Sequence, residues 1–336
     1  MLTSASSQQE QDRIKLKIGE ARALAVRVFE TTGYTEEEAT IIADHLIDAE
    51  LSGYGYSGLA KILNIVENPR NQRQRRPVSV VKETEVSALV DGGNNVGMLS
   101  VYRATEIVIR KAETRGIAIV GVYDSFNSGR SAYYLEMIAR AGLVGIHLVG
   151  ASPQVAAPGG TKAVLGTNPI GFGIPTMDGV MVFDMGTASI AGSDLALKSR
   201  LGEILPDGVA IDSSGNPTRD PKVARSGGLL PFGGYKGFGL SLCLQAIALL
   251  AAAELGSDKN YGFLMIAIAP GLFVPLDQFK HEVSKLLSRV KATKPDHAGA
   301  EEIRIPSERA YRERARRLSE GTIVIEKKIY EALISY

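Results

Sequence analysis

Tryptophan is absent from this chain of 336 residues, cysteine occurs once, and histidine four times. One cysteine excludes an intramolecular disulfide and fits a reducing cytoplasm. That residue, Cys243, lies in an apolar run and is expected to be buried. His45, His147, His281 and His297 are too scattered to suggest a metal site, and none is expected. Charge of one sign is missing too. A net charge of +1 argues against a dedicated nucleic-acid binder. No run reaches the ~20 apolar residues of a membrane span. The longest, Leu240–Leu255, carries Gln245 and Glu254 and reads as a buried core helix. No secretory signal is visible, and the polar start, Met1 to Arg13, is expected to fray. HExxH, GxxxxGK[ST] and GxSxG do not occur.

What is present is an ordinary apolar content and enough chain for about two domains at ~150 residues each. Ile14–Ile18 looks like a strand and Glu20–Thr32 like an amphipathic helix closed by Gly33. Thr35-Glu36-Glu37-Glu38 is a capping box, and a helical stripe follows through residue 50. Another helix is expected over Leu59–Glu67. The connector between Pro69 and Pro77 holds Arg70, Arg73, Arg75 and Arg76 and reads as solvated. Beyond it strands and helices alternate: strand Val86–Asp91, helix Ser100–Arg115, strand Ile117–Tyr123, helix Ser131–Ala141, strand Leu143–Val149. This alternation argues for an α/β fold. Residues 150–240 turn to glycine- and proline-rich loops with short strands such as Val180–Asp184. A strand at Leu264–Ala269 and helices at Gln278–Val290, Ser307–Leu318 and Glu326–Tyr336 complete the reading.

Gly53-Tyr54-Gly55-Tyr56-Ser57-Gly58 matches GxGxxG, but the context is wrong for a dinucleotide fingerprint. A helix precedes it where a strand is needed, and no acid lies about twenty residues on. Leu230–Gly239, with Gly233, Gly234 and Lys236 ahead of an apolar helix, suits a phosphate or pyrophosphate; a tight turn packed on its helix is the other reading. Leu165-Gly166-Thr167-Asn168-Pro169 is a turn. Asp184, at the end of a strand, could face a ligand or cap the segment after it.

These segments, with Ala43-Asp44-His45-Leu46, the Gly53–Lys61 loop, Asp184–Ala188, Pro217–Pro221 and Ile305–Arg309, resemble the malate/L-lactate dehydrogenase family that lacks a Rossmann fold. That family includes ureidoglycolate and sulfolactate dehydrogenases, a diketogulonate reductase, and reductases of piperideine- and pyrroline-2-carboxylate. The resemblance covers nearly the whole chain. It implies a non-Rossmann mixed-sheet α/β fold, a discontinuous helical domain of residues 1–76 plus 305–336, and a cofactor and substrate domain of residues 77–304. It further implies a homodimer with NAD(P)H near the subunit interface, which the cysteine count lets one expect in the cytoplasm. Cofactor contacts would come from Ser152, Thr167, Asn168, Asp184, Met185, Gly186, Thr187, Tyr235, Lys236, Ser307 and Glu308.

The departures from the family bear on the chemistry. Its loop usually reads Ser-His-Gly-x-x-Arg; here Tyr56-Ser57-Gly58-Leu59-Ala60-Lys61 stands in its place. The imidazole that moves the carbinol proton is replaced by Ser57, and the carboxylate-binding Arg by Lys61, which keeps the charge without the bidentate fork. A second family histidine falls at Asn127, and a common Lys at Asp194. His45 matches a family position but lies on a helix stripe and reads as structural. Neither Ser57 nor Asn127 titrates near neutrality. A carbonyl reduced by hydride needs a proton donor, whereas a protonated imine does not. Reduction of a cyclic imine therefore becomes the leading expectation, with Asp194 available to stabilise the cation. A 2-oxo acid/2-hydroxy acid oxidoreductase using Tyr56 or Tyr54 as donor is an alternative, although both tyrosines could simply pack. A redox-silent NAD(P)-binding relative is another.

Overall fold

The computed structural model describes residues 12–257, 259–294 and 302–336. His297, and the expected fraying up to residue 11, lie outside the described residues. In chain order the strands are β1 (Arg13–Lys17), β2 (Ser79–Glu83), β3 (Ser87–Val96), β4 (Ile117–Phe126), β5 (Val144–Gly150), β6 (Val155–Ala156), β7 (Ala163–Leu165), β8 (Ile170–Thr176), β9 (Gly179–Met185), β10 (Ala210–Ile211), β11 (Gly228–Leu229), β12 (Gly262–Ile268) and β13 (Thr322–Glu326). The helices are α1 (Ile18–Thr31), α2 (Glu36–Leu51), α3 (Ala60–Val66), α4 (Gly97–Arg115), α5 (Ser131–Arg140), α6 (Gly192–Leu201), α7 (Pro221–Ala224), α8 (Tyr235–Ala248), α9 (Leu276–Lys291), α10 (Glu308–Glu320) and α11 (Lys327–Ile334).

The chain divides into two compact units. One comprises Met1–Gln74, Ser193–Glu203 and Ala310–Tyr336. It is mainly helical, with an antiparallel β1–β13 ribbon. Its α2 starts as the capping box predicts: Glu38 N–H donates to Thr35 Oγ1 at 3.3 Å, and Thr35 N–H to Glu38 Oε2 at 3.0 Å. The apolar stripe of α2 buries Ile42, Leu46 and Ala49, and His45 is buried with them.

The other unit, Arg75–Gly192 and Ile204–Arg309, is built on a seven-stranded mixed sheet of order β2-β3-β4-β12-β5-β8-β9. Within that sheet only β3 and β4 pair in parallel, joined by α4, which stops at Gly116 with φ 82°. That glycine satisfies the left-handed C-terminal position that a residue with Cβ resists. Strand alternation sorts the two faces. Phe263 and Met265 pack with Val101, Val108, Tyr134 and Ile138 of α4 and α5, while Leu264 packs with Leu148 and Leu244 of α8.

Several expectations are corrected. The run Leu240–Leu255 is not one buried helix. α8 ends at Ala248, a 3-10 turn follows over Leu249–Ala251, and Ala252 takes φ 58°. Its face bearing Ser241, Leu244 and Ala248 is buried, but Leu242 and Ile247 are exposed, and so is Cys243. The arginine connector is not merely solvated. Arg70 is buried, and Arg76 makes a bidentate pair with Asp91 and a further bond of 2.9 Å to Asp124. Strands β2 and β13 were not foreseen: β2 is an exposed edge with no apolar alternation, and β13 occupies the short stretch ahead of the last helix.

Candidate functional site

Three loops of the sheet-bearing unit converge. β8 and β9 pair antiparallel, setting Gly171 opposite Asp184 and Ile170 opposite Met185. The chain leaving β9 then meets the turn that precedes β8. Thr187 donates its N–H and its hydroxyl to Thr167 O, at 2.8 and 3.0 Å. On its other side Phe232 N–H donates to Thr187 O at 3.0 Å and Ser189 N–H to Leu230 O at 2.8 Å. These bonds bring residues 165–168, 184–189 and 230–236 together, and Ser307 joins through its hydroxyl bond to Val182 O at 2.6 Å.

The third loop leads into α8. Gly233 and Gly234 have φ 55° and 61°, a conformation open to glycine, and a Cβ at Gly237 would collide with Phe232 O. Tyr235 is 74% exposed and Lys236 is exposed beside it. The N–H groups of Lys236, Gly237 and Phe238 are taken by Gly233 O, Phe232 O and Gly234 O, so what this segment offers an anion is the exposed ammonium of Lys236 beside the glycine turn.

The other cofactor candidates divide by what their side chains already do. Asn168 is fully buried and spent: Oδ1 accepts Ala151 N–H at 2.9 Å, while Nδ2 lies 3.0 Å from Ser241 O, Ser241 Oγ and Gln245 Oε1. It ties loops to α8 and offers no polar atom to a ligand. Thr187 is likewise buried and bonded. Asp184 does not cap the segment after it. Its Oδ2 accepts Ala132 N–H at 2.9 Å at the start of α5. Burial raises the Asp184 pKa, opposed by the N–H groups of Ala132 and Ser131 and by Arg130. Glu308 bonds Lys291 Nζ and Ile305 N–H, and Ser152 Oγ donates to Tyr261 Oη at 2.9 Å. Gly186 is exposed, and Met185 and Thr167 are half-buried. Asn127 is half-buried with φ 54°, just past β4, where Asp124 has φ 47°. Such conformations in short polar residues often mark functional sites.

The helical unit holds Tyr56, Ser57, Lys61 and Asp194. Gly55–Ser57 forms a 3-10 turn, with Ser57 N–H on Tyr54 O at 2.8 Å and Tyr54 N–H on Ala49 O at 2.9 Å. Ser57 is buried, and the rings of Tyr54 and Tyr56 meet edge to face at 6.1 Å. Lys61 Nζ donates to Ser193 Oγ at 2.6 Å and pairs with no carboxylate of the described residues. Loss of water around this ammonium lowers its pKa to about 8. Asp194 lies 3.8 Å from Lys198, and burial raises its pKa.

Sequence reasoning missed Ser193 and Glu50. Glu50 is buried under the loop, its Oε2 accepting Leu59 N–H at 3.0 Å. An acid near the end of an apolar stripe was the available signal. Among the described residues no group of acidic, histidine and cysteine side chains could hold a metal, and no helix is long and apolar enough to cross a membrane.

The family model described as malate/L-lactate dehydrogenase matches residues 16–334. The malate/(S)-sulfolactate dehydrogenase of Methanothermus fervidus is 34% identical over 327 residues, covering 94% of each chain. A Δ1-pyrroline-2-carboxylate/Δ1-piperideine-2-carboxylate reductase of Pseudomonas putida is 30% identical, covering 94% of this chain and 95% of its own. The solved sulfolactate dehydrogenase of Methanocaldococcus jannaschii superposes with a TM-score of 0.83 at 31% identity and 95% coverage of both.

Proposed function

The chain belongs to the malate/L-lactate dehydrogenase family, and on that premise we propose that it is an NAD(P)H-dependent reductase of a cyclic imine bearing a carboxylate. The observation that carries this reading is the state of the Gly53–Lys61 loop. It presents a desolvated ammonium without a counter-ion among the described residues, and it contains no imidazole. An uncompensated Lys61 favours an anionic group, as either a cyclic imine carboxylate or a 2-oxo acid would supply. Pairing with that carboxylate raises the Lys61 pKa and keeps it protonated, which removes it as a proton donor. The reaction best served is one needing no donor. In a protonated imine the carbon accepts hydride, the C=N electron pair passes to nitrogen, and a neutral secondary amine results.

Bound NAD(P)H would supply the hydride. Gly233–Lys236 at the start of α8 would hold its phosphates, with Gly186, Met185, Thr167 and Tyr235 lining the cofactor path. Asn168, Thr187 and Asp184 would hold the loops that do so. Ser57 and Asn127 replace the family's proton-moving histidines, and Asp194 would offset the iminium charge. The domain boundaries at residues 76 and 305 remain part of this proposal, with Ser193–Glu203 joining the helical unit. The exposed side of α8, with Leu242 at 50% and nearby Leu250 at 74% exposure, would be covered by a second copy of the chain.

One observation favours a second reading. A lysine titrating at about 8 could donate a proton to a 2-oxo acid if the substrate carboxylate were held elsewhere. NADH and NADPH titrated by fluorescence, followed by a screen of cyclic imine carboxylates and 2-oxo acids for loss of nicotinamide absorbance, separates the readings. Absence of binding by either cofactor overturns both.

A further inference from the structure

We propose that Glu50 is the positioning residue of the Gly53–Lys61 loop, and that the charge on its carboxylate sets how firmly the loop is held. The loop is built over this side chain. Glu50 Oε2 accepts Leu59 N–H at 3.0 Å, and Gly58 sits so close that a Cβ there would collide with the carboxylate. Gly55 packs beside Oε1. One buried acid thus contacts both sides of Ser57 and the residue two before Lys61.

The charged groups facing Glu50 are few. Arg317 Nη1 is 3.8 Å from Oε1, too far for a bond, and it donates instead to the Glu50 backbone carbonyl at 2.6 Å. Arg317 is already matched by Glu313, whose Oε1 takes its Nε at 2.6 Å. Glu326 at the end of β13 adds charge of the same sign as Glu50. Lys61 bonds to Ser193 rather than to Glu50. A buried carboxylate with this little compensation titrates at about 7, chiefly because burial penalises its charge, so both states are populated under ordinary conditions. The Leu59 bond favours the carboxylate, but by less than burial disfavours it. Burial outweighs the Leu59 bond, and opening the loop returns the carboxylate to water, so the loop is held tightly when Glu50 is protonated and loosely when it is ionised.

That this loop faces substrate rests on the function proposed above; its hold by Glu50 does not. Hydrogen exchange of the Leu59 amide, followed from acidic to alkaline pH and corrected for the intrinsic rate, tests the hold without any substrate. Wild type is expected to lose about tenfold or more in protection as pH rises from 4.5 toward 7, and to level off above it. Glu50→Gln, which can still accept from Leu59 but cannot ionise, is expected to show no such fall. Protection that does not fall with pH in wild type, or a fall of equal size in Glu50→Gln, overturns the proposal.

Discussion

Replacing Lys61 by methionine should make the protein more stable at neutral pH. The side chain keeps its length and loses its charge. Lys61 titrates at about 8 instead of 10.5 because its ammonium has lost water without gaining a carboxylate. At ~1.4 kcal/mol per tenfold change in proton affinity, holding that charge costs about 3 kcal/mol. The sign follows from the protonation states. Above 10.5 lysine is neutral whether folded or unfolded, and no cost exists. As pH falls toward 8 the unfolded chain takes up the proton first, so the folded state loses stability. Below 8 the full cost is present. Lys61→Met should therefore raise the thermal midpoint on the order of 5 °C at pH 7, with the gain shrinking as pH climbs through 8 toward 10.5. A carboxylate substrate should protect wild type and leave the variant unmoved. Differential scanning calorimetry of both proteins across this pH range reads the effect. A variant less stable than wild type at neutral pH, or a difference that ignores pH, would refute the reasoning. Stability given up at one cation is what a binding site trades for function.

Two further outcomes follow from the geometry. Asn168→Ala strands Ala151 N–H and removes the contacts to Ser241 and Gln245, so calorimetry should show a loss of roughly 3 kcal/mol; a loss within a few tenths would mean water replaces the amide. Leu250→Glu places a charge on the exposed apolar side beyond α8, and sedimentation equilibrium should show two chains becoming one, while an unchanged mass would remove that face from the assembly.

Local chemistry made much of the fold legible. The Thr35–Glu38 box, the stop at Gly116 and the buried strand after it all act within a few residues, and the structure repeats them. The half-exposed α8 was illegible because its composition is apolar all round, so no stripe marks which side packs on the sheet. β2 lacked alternation because both its faces are exposed at the sheet edge. The candidate site follows the same division. Gly233 and Lys236 suggest the proposed phosphate cradle by type and order alone. The partner of Lys61 lies 132 residues away, at Ser193, and no spacing rule reaches that far. Asp184 showed its two options in sequence, yet the helix it serves, α5, comes earlier in the chain. Glu50 looked like one more acid on a helix until the loop folded back over it.

The central claim is that the loop carrying Ser57 and Lys61 serves a reaction that needs no protein proton donor. The most direct test compares kcat/KM for a cyclic imine carboxylate and for the 2-oxo acid of matching carbon skeleton, with NADPH and with NADH, at one pH. Without a general acid the carbonyl should trail by about 10²-fold or more. An oxo acid reduced as fast as the imine would contradict the account and pass the proton to Lys61 or Tyr56.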